Sequence, residues 1–203
     1  MNTKSIIDII VSLITLILLS PVLILIALLI LFTSKGPVFF RQKRIGKRGK
    51  IFTMYKFRTM VNKNHNHLDS VINKSLITSI GSFLRKWKID ELPELWNVLK
   101  GDMSMVGPRP YISGFTDKLE GEERKILDLK PGLTSLASIK YIDEEGILAL
   151  QEIPGKYYKE VIYPDKIKLD VLYCQKRSNL LDLKIFWHTI FKSKRKKFLK
   201  KFE

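Results

Sequence analysis

Asp90 and Glu91 stand side by side in the stretch KIDELPELWNVLKGDMSMVGPRP (88–110), which closes on Arg109 between Pro108 and Pro110. A paired acid near a conformationally restricted cation suits phosphate chemistry. The sequence predicts a helix beginning at this pair, with Asp90 at its N-cap and Pro93 in the first turn. The amides and dipole at such a terminus favour an ionised carboxylate. That carboxylate could attack phosphorus or ligate a hard cation such as magnesium. Glu91 could share the metal or work as acid and base. An Asp-Glu pair is also ordinary capping, so these two residues alone do not decide between the readings.

Arg109 adds weight. The proline after it favours an extended backbone, and the fixed φ of Pro108 leaves little entropy to lose when the guanidinium clamps a phosphate in bidentate fashion. Arg85 stands five residues before Asp90, and Lys56 and Arg58 occur in YKFRTM (55–60). Each is a common surface charge taken singly. Together, on a chain with a membrane segment, they point to two phosphorylated substrates, one of them a lipid.

The elements that must position these groups fit within 203 residues, enough for one modest domain plus a membrane element. The chain carries 36 Lys and Arg against 20 Asp and Glu, a net charge of +16, which calls for an anionic partner. A basic run beside an apolar segment favours lipid headgroups over nucleic acid. The single cysteine, Cys174, excludes an intrachain disulfide.

Between Ile6 and Phe32 the sole charge is Asp8. As a helix this segment is about 40 Å long, against a hydrocarbon core of about 30 Å. The apolar run is too long for a signal peptide and no small-residue cleavage site follows it. Ser20-Pro21 falls at its middle. If the proline breaks the helix, neither arm crosses a bilayer and a re-entrant hairpin results; if it is tolerated as a kink, one helix spans. Nine Lys and Arg and no acid lie between Lys35 and Arg58, which sets this flank on the cytoplasmic side.

Beyond Gly36-Pro37, Val38–Phe40 and Ile51–Phe57 read as short strands around the basic turn Ile45–Gly49. His65 and His67 lie in a polar loop without a third ligand nearby. Leu76, Ile80, Phe83, Leu84 and Trp87 keep a helical period, as do Leu92, Leu95, Trp96 and Leu99 up to Gly101. No phosphate-binding glycine loop of the GxxxxGK[ST] or GxGxxG kind occurs. The last 26 residues read as a basic amphipathic helix capped by Ser178 or Asn179. Leu183, Phe186, Trp187, Ile190 and Phe191 would form one face, followed by a lysine-rich end that includes Lys192 and suits an anionic membrane surface.

Ser20-Pro21, GPVFFRQKRIGKRGKIFTMYKFRTM (36–60), IDELPELWNVLKGDMSMVGPRP (89–110) and LDLK (181–184) closely resemble the small bacterial monotopic phosphoglycosyl transferases, over nearly the whole chain. The resemblance implies transfer of a sugar-1-phosphate from a UDP-sugar to undecaprenyl or another polyprenyl phosphate, with release of UMP and initiation of a capsule, exopolysaccharide or glycoprotein glycan. It puts the family's catalytic dyad on Asp90 and Glu91, with the aspartate carrying a covalent phosphosugar and Mg2+ held at the dyad. Arg109 and Arg85 take the phosphate-binding positions. Ser20 and Pro21 become the break of a re-entrant helix, and Lys4 and Asp8 match the basic-then-acidic pair at its start. One stretch departs from the pattern. LKPGLTSLASIKY (129–141) has Lys130, Ser135 and Ser138 where the family commonly reads arginine, glycine and glutamine, which bears on donor contacts.

The resulting expectation is an α+β, mostly helical protein of the bacterial inner membrane. It comprises a re-entrant helix-break-helix (1–34), a cytoplasmic catalytic domain with a small β-hairpin (35–177) and a basic interfacial helix (178–203). Lys56, Arg58 and Lys130 complete the expected substrate-binding set. The rival classes are a non-catalytic adaptor on anionic lipid and a membrane-tethered nucleic-acid binder; no nucleic-acid recognition motif is legible.

Overall fold

A long apolar run satisfies its own backbone groups by forming a helix, and α1 takes in Thr3–Thr33. A computed structural model describes residues 3–61, 76–191 and 194–202 of the chain. His65, His67 and Lys192 lie outside the described residues. Within α1 an 18-residue window reaches a mean hydropathy of 3.1, long and apolar enough to cross a membrane. The expected break at Ser20-Pro21 does not interrupt the helix, which carries Pro21 inside it. The local chemistry explains why. Proline removes the amide that would bond the Ile17 carbonyl, and the Ser20 hydroxyl donates to that same carbonyl at 2.8 Å.

Both ends of α1 are docked on the rest of the chain while its middle is bare. Lys4 donates to the Val106 carbonyl (2.8 Å) and pairs with Asp182 (2.6 Å). Asp8 accepts from Ser104, and Ser12 meets the Met105 sulfur. At the far end Ile26 and Ile30 pack with Phe57 and Leu84. Between these anchors Ile17, Leu18, Val22, Ile24 and Leu25 are exposed.

The hairpin pairs β1 (Phe39–Ile45) with β2 (Ile51–Phe57) antiparallel, in a register from Phe39↔Phe57 to Ile45↔Ile51. The first strand is longer than its apolar start suggested, because backbone pairing carries it through the basic residues Arg41–Arg44. Next come α2 (Ser79–Trp87, capped by Thr78), a 3-10 turn (Ile89–Glu91) and α3 (Glu94–Lys100). Asn97 ties α3 to β2: its amide donates to the Thr53 carbonyl (2.7 Å), and the Tyr55 amide donates to its oxygen (3.1 Å).

Two three-residue strands that the sequence did not signal, β3 (Ser104–Val106) and β4 (Gly132–Thr134), pair in parallel. A Cβ on Gly132 would lie 2.1 Å from the Gly107 amide nitrogen, so the two backbones can approach only with glycine there. The chain continues through α4 (Leu136–Lys140), α5 (Glu144–Ala149) and α6 (Pro154–Tyr157). A single π turn (Tyr158–Ile162) leads into α7 (Tyr163–Lys176).

The C-terminal segment is two helices, α8 (Asn179–Ile190) and α9 (Arg195–Leu199), instead of one. Ser178 caps α8, accepting from the Leu181 amide. Its inward face is Leu181 and Ile185, so Leu183, Trp187 and Ile190 from the expected apolar face stand exposed. The main core gathers Leu95, Val98, Met105, Leu136, Tyr173 and Ile185 from α3, β3, α4, α7 and α8.

Candidate active site

Lys88 ends α2 in the left-handed conformation (φ 57°), and this sharp turn drops Asp90 and Glu91 into the 3-10 turn that follows. Asp90 is therefore not the N-cap the sequence suggested. Pro93 occupies the cap position of α3 and no side chain caps it. With no cap bond to make, Asp90 is 9% exposed and its Oδ1 has no hydrogen-bond partner among the described residues.

Glu91 is in the opposite situation. Its Oε1 accepts from Lys56 at 2.6 Å and lies 3.6 Å from the Arg109 guanidinium. Lys56 also reaches Glu94 at 3.2 Å. Burial opposes the charge of all three partners, so the balance of neighbours decides each. Lys56 is held charged because Glu91 and Glu94 together outweigh its desolvation. Glu91 also loses solvation, but Lys56, Arg109 and Lys88 hold its carboxyl well below the usual range. Asp90 is pushed up to about 6 by burial and by the Glu91 charge, with Lys56, Lys88 and Arg85 pulling the other way. Glu94 rises to about 7, chiefly through burial. The dyad is thus divided: Glu91 is a fixed anion clamped by cations, and Asp90 keeps a free oxygen yet remains mostly ionised near neutral pH.

Arg109 is positioned by its surroundings as well as by its prolines. Its amide donates to Asp170 (3.2 Å) and its side chain to the Ser138 hydroxyl (3.1 Å). Asp170, fully buried, also accepts from Tyr111 (3.1 Å), and burial lifts its carboxyl to about 7. Arg85 belongs to the Asp90 neighbourhood electrostatically and pairs with Glu145, its Nε donating at 3.0 Å.

The structure thus brings Asp90, Glu91, Lys56, Arg85 and Arg109 together, and leaves two expected substrate contacts elsewhere. Arg58 is buried and donates to the Ser34 carbonyl (2.7 Å) and hydroxyl (2.8 Å), closing the C-terminal end of α1 where free carbonyls attract a cation. The Lys130 amine lies 3.4 Å from where a Cβ on Gly101 would sit. It therefore stands at the carbonyl end of α3, a helix about 10 Å long whose other end carries the dyad. Glu94, Glu145 and Asp170 went unnoticed in the sequence. Only Glu94 left a signal there, four residues after Asp90.

A divalent cation can be tested against these groups. Magnesium takes one or two carboxylates and completes its shell with water and substrate phosphates. The unpartnered Oδ1 of Asp90 next to the ionised Glu91 fits that requirement. No cluster of three or more His, Cys, Asp or Glu suited to a metal occurs among the described residues, so substrate oxygens would have to complete the shell.

A family model described as bacterial sugar transferase matches residues 1–196. A UDP-glucose:undecaprenyl-phosphate glucose-1-phosphate transferase of Klebsiella pneumoniae is 39% identical over 191 residues, covering 91% of this chain and 38% of that protein. The similarly named Escherichia coli K12 protein is 34% identical, covering 91% of this chain and 39% of its own length. The exopolysaccharide production protein ExoY of Sinorhizobium fredii is 31% identical over 200 residues, covering 90% and 81%. The chain therefore spans about two fifths of the two glucose-1-phosphate transferases and most of ExoY.

Proposed function

This chain belongs to the bacterial sugar transferase family, and from that premise we propose that it transfers a sugar-1-phosphate from a UDP-sugar to undecaprenyl phosphate or a related polyprenyl phosphate, through a covalent intermediate on Asp90. The observation that carries the reading is the buried, unpartnered Oδ1 of Asp90 near Lys56, Lys88 and Arg85, with Arg109 against the adjoining Glu91.

In the first step an Asp90 carboxylate oxygen forms a bond to the β-phosphorus of the donor while the bond from that phosphorus to the bridging oxygen breaks. UMP leaves with the bridging oxygen and its electron pair. In the second step an oxygen of the polyprenyl phosphate attacks the same phosphorus and Asp90 is released as a carboxylate. The product is a polyprenyl diphosphate sugar. Arg109 and Arg85 bind phosphoryl oxygens, and Glu91 fixes the orientation of Lys56 and Arg109. Asp90 and Glu91 would hold magnesium, which supplies charge neutralisation on phosphate oxygens when bound.

The acceptor is a lipid and the donor is water-soluble, so the chemistry must sit at a membrane surface. We place α1 in the cytoplasmic membrane as a re-entrant helix, bent at Pro21 without being broken there, that enters and leaves by the same face. Both ends of α1 contact one and the same domain, which a straight helix crossing the bilayer cannot do. The basic Lys35–Arg58 flank sets that domain in the cytoplasm.

The deciding experiment mixes enzyme with UDP-sugar in the absence of lipid. Release of UMP up to one equivalent, with a matching mass adduct on the peptide containing Asp90, is expected. Turnover in the presence of polyprenyl phosphate without any such burst or adduct would mean direct attack by the lipid in a ternary complex.

A further inference from the structure

Away from the dyad, α8 and α9 enclose a cleft of about 410 Å3. The ion-pair partners of Glu91 and Glu94, Lys56 and Arg109, are not among its lining residues. Its floor is apolar, built from Leu181, Phe198 and Phe202, and Phe198 is itself nearly fully buried. Its rim carries Lys176, Lys184, Lys194, Lys197 and Lys201, and no acid lines it. None of these five lysines pairs with a carboxylate among the described residues. So much positive charge around an apolar trough is costly unless a counter-charge settles there.

We propose that this cleft holds one acidic phospholipid of the surrounding bilayer, its phosphate among the lysines and part of an acyl chain along the floor. Charge and shape together select the occupant. A free phosphate would leave the apolar floor bare, and a lipid of no net charge would bring no net counter-charge to five lysines. The location agrees. The Lys4–Asp182 ion pair ties the first turn of α1 to α8, so the cleft borders the surface from which the membrane helix departs. On the same helix Trp187 and Ile190 stand exposed, as side chains at a membrane interface do. The family match ends at residue 196, short of Lys197, Phe198, Lys201 and Phe202. The proposal rests on α1 lying in a bilayer and does not need the transfer chemistry.

The test is native mass spectrometry of the full-length protein, released from neutral detergent after incubation with dioleoyl phosphatidylglycerol or dioleoyl phosphatidylcholine. One phosphatidylglycerol should be retained in clear preference to phosphatidylcholine. The triple variant Lys194→Gln/Lys197→Gln/Lys201→Gln should lower that retention at least tenfold, since each lysine near an anionic lipid is worth about a factor of five. Replacing the same three by arginine should restore it, which separates loss of charge from loss of fold. Asp90→Asn should retain the lipid fully, so failure of the transfer mechanism would leave this result untouched. Equal retention of the two lipids, retention by the glutamine variant, or no rescue by arginine would each overturn the proposal. So would mole-for-mole displacement by undecaprenyl phosphate, which would make the cleft an acceptor site.

Discussion

Asp90 and Glu91 are adjacent in sequence but their environments drive them apart. Glu91 is clamped by Lys56 and Arg109, whereas Asp90 has a buried oxygen with nothing to bond. Replacing Asp90 by asparagine should therefore cost at least about a thousandfold in turnover, the scale seen when a residue central to the chemistry is removed, while leaving thermal unfolding in detergent unchanged. UMP release and Tm on the same sample test this; activity of a few per cent or more would argue that another group attacks. Lys56→Met makes the converse prediction. Removing the shared cation strands Glu94 and leaves Glu91 to Arg109 alone, which should destabilise by about 3–5 kcal/mol, and adding Glu94→Gln should recover part of the loss. A Tm within a degree of wild type for the single variant would show that these pairs carry little stability. Asp170 gives a pH signature. Its carboxyl is raised by burial to about 7, so between roughly pH 4 and 7 the folded state binds a proton that the unfolded state has lost. Its contribution is thus present at low pH and fades as pH rises through that window, by up to about 4 kcal/mol. Asp170→Asn keeps an acceptor for Tyr111 and the Arg109 amide, and should flatten that slope in pH-dependent unfolding.

At the scale of elements, α1 and the turn after α2 decide how the site is built. Pro21 stays within α1 because Ser20 satisfies the carbonyl left open at Ile17, and the helix then returns to the domain at Ile26 and Ile30. A cysteine introduced at Thr3 in a Cys174→Ser background should resist an impermeant thiol reagent applied to intact cells and react once the membrane is permeabilised. Labelling from outside would place the N-terminus on the far face and contradict the re-entrant path. Lys88 acts at similar range: its left-handed conformation separates α2 from the 3-10 turn, which keeps Asp90 from capping α3 and leaves its oxygen free.

For the molecule as a whole, a net charge of +16 is distributed between two tasks. Lys56, Arg85 and Arg109 are drawn inward around carboxylates, while the lysines of the C-terminal segment face outward. Chelating magnesium should stop turnover without releasing the protein from vesicles containing phosphatidylglycerol, because α1 and the outer lysines do not use the metal. Turnover that persists in excess chelator would remove magnesium from the account. Binding that vanished with the metal would instead favour an ion-bridged membrane contact.

Composition and short-range pattern were enough to reveal the apolar helix, the hairpin, the dyad and the proline-flanked arginine, since each depends on residues close together in the chain. The helical period also found α2 and α3, but not which side faces inward: Phe83, Trp87 and Trp96 keep core spacing and are exposed, while Leu84 and Leu95 are buried. Periodicity defines a face; what covers that face depends on elements distant in sequence. The same limit hid the pairing of β3 with β4, the partners Glu145 and Asp170, and the diversion of Arg58 to the end of α1 and of Lys130 to the far end of α3. A cation goes where unpaired carbonyls or carboxylates are concentrated, and only the folded chain brings those together.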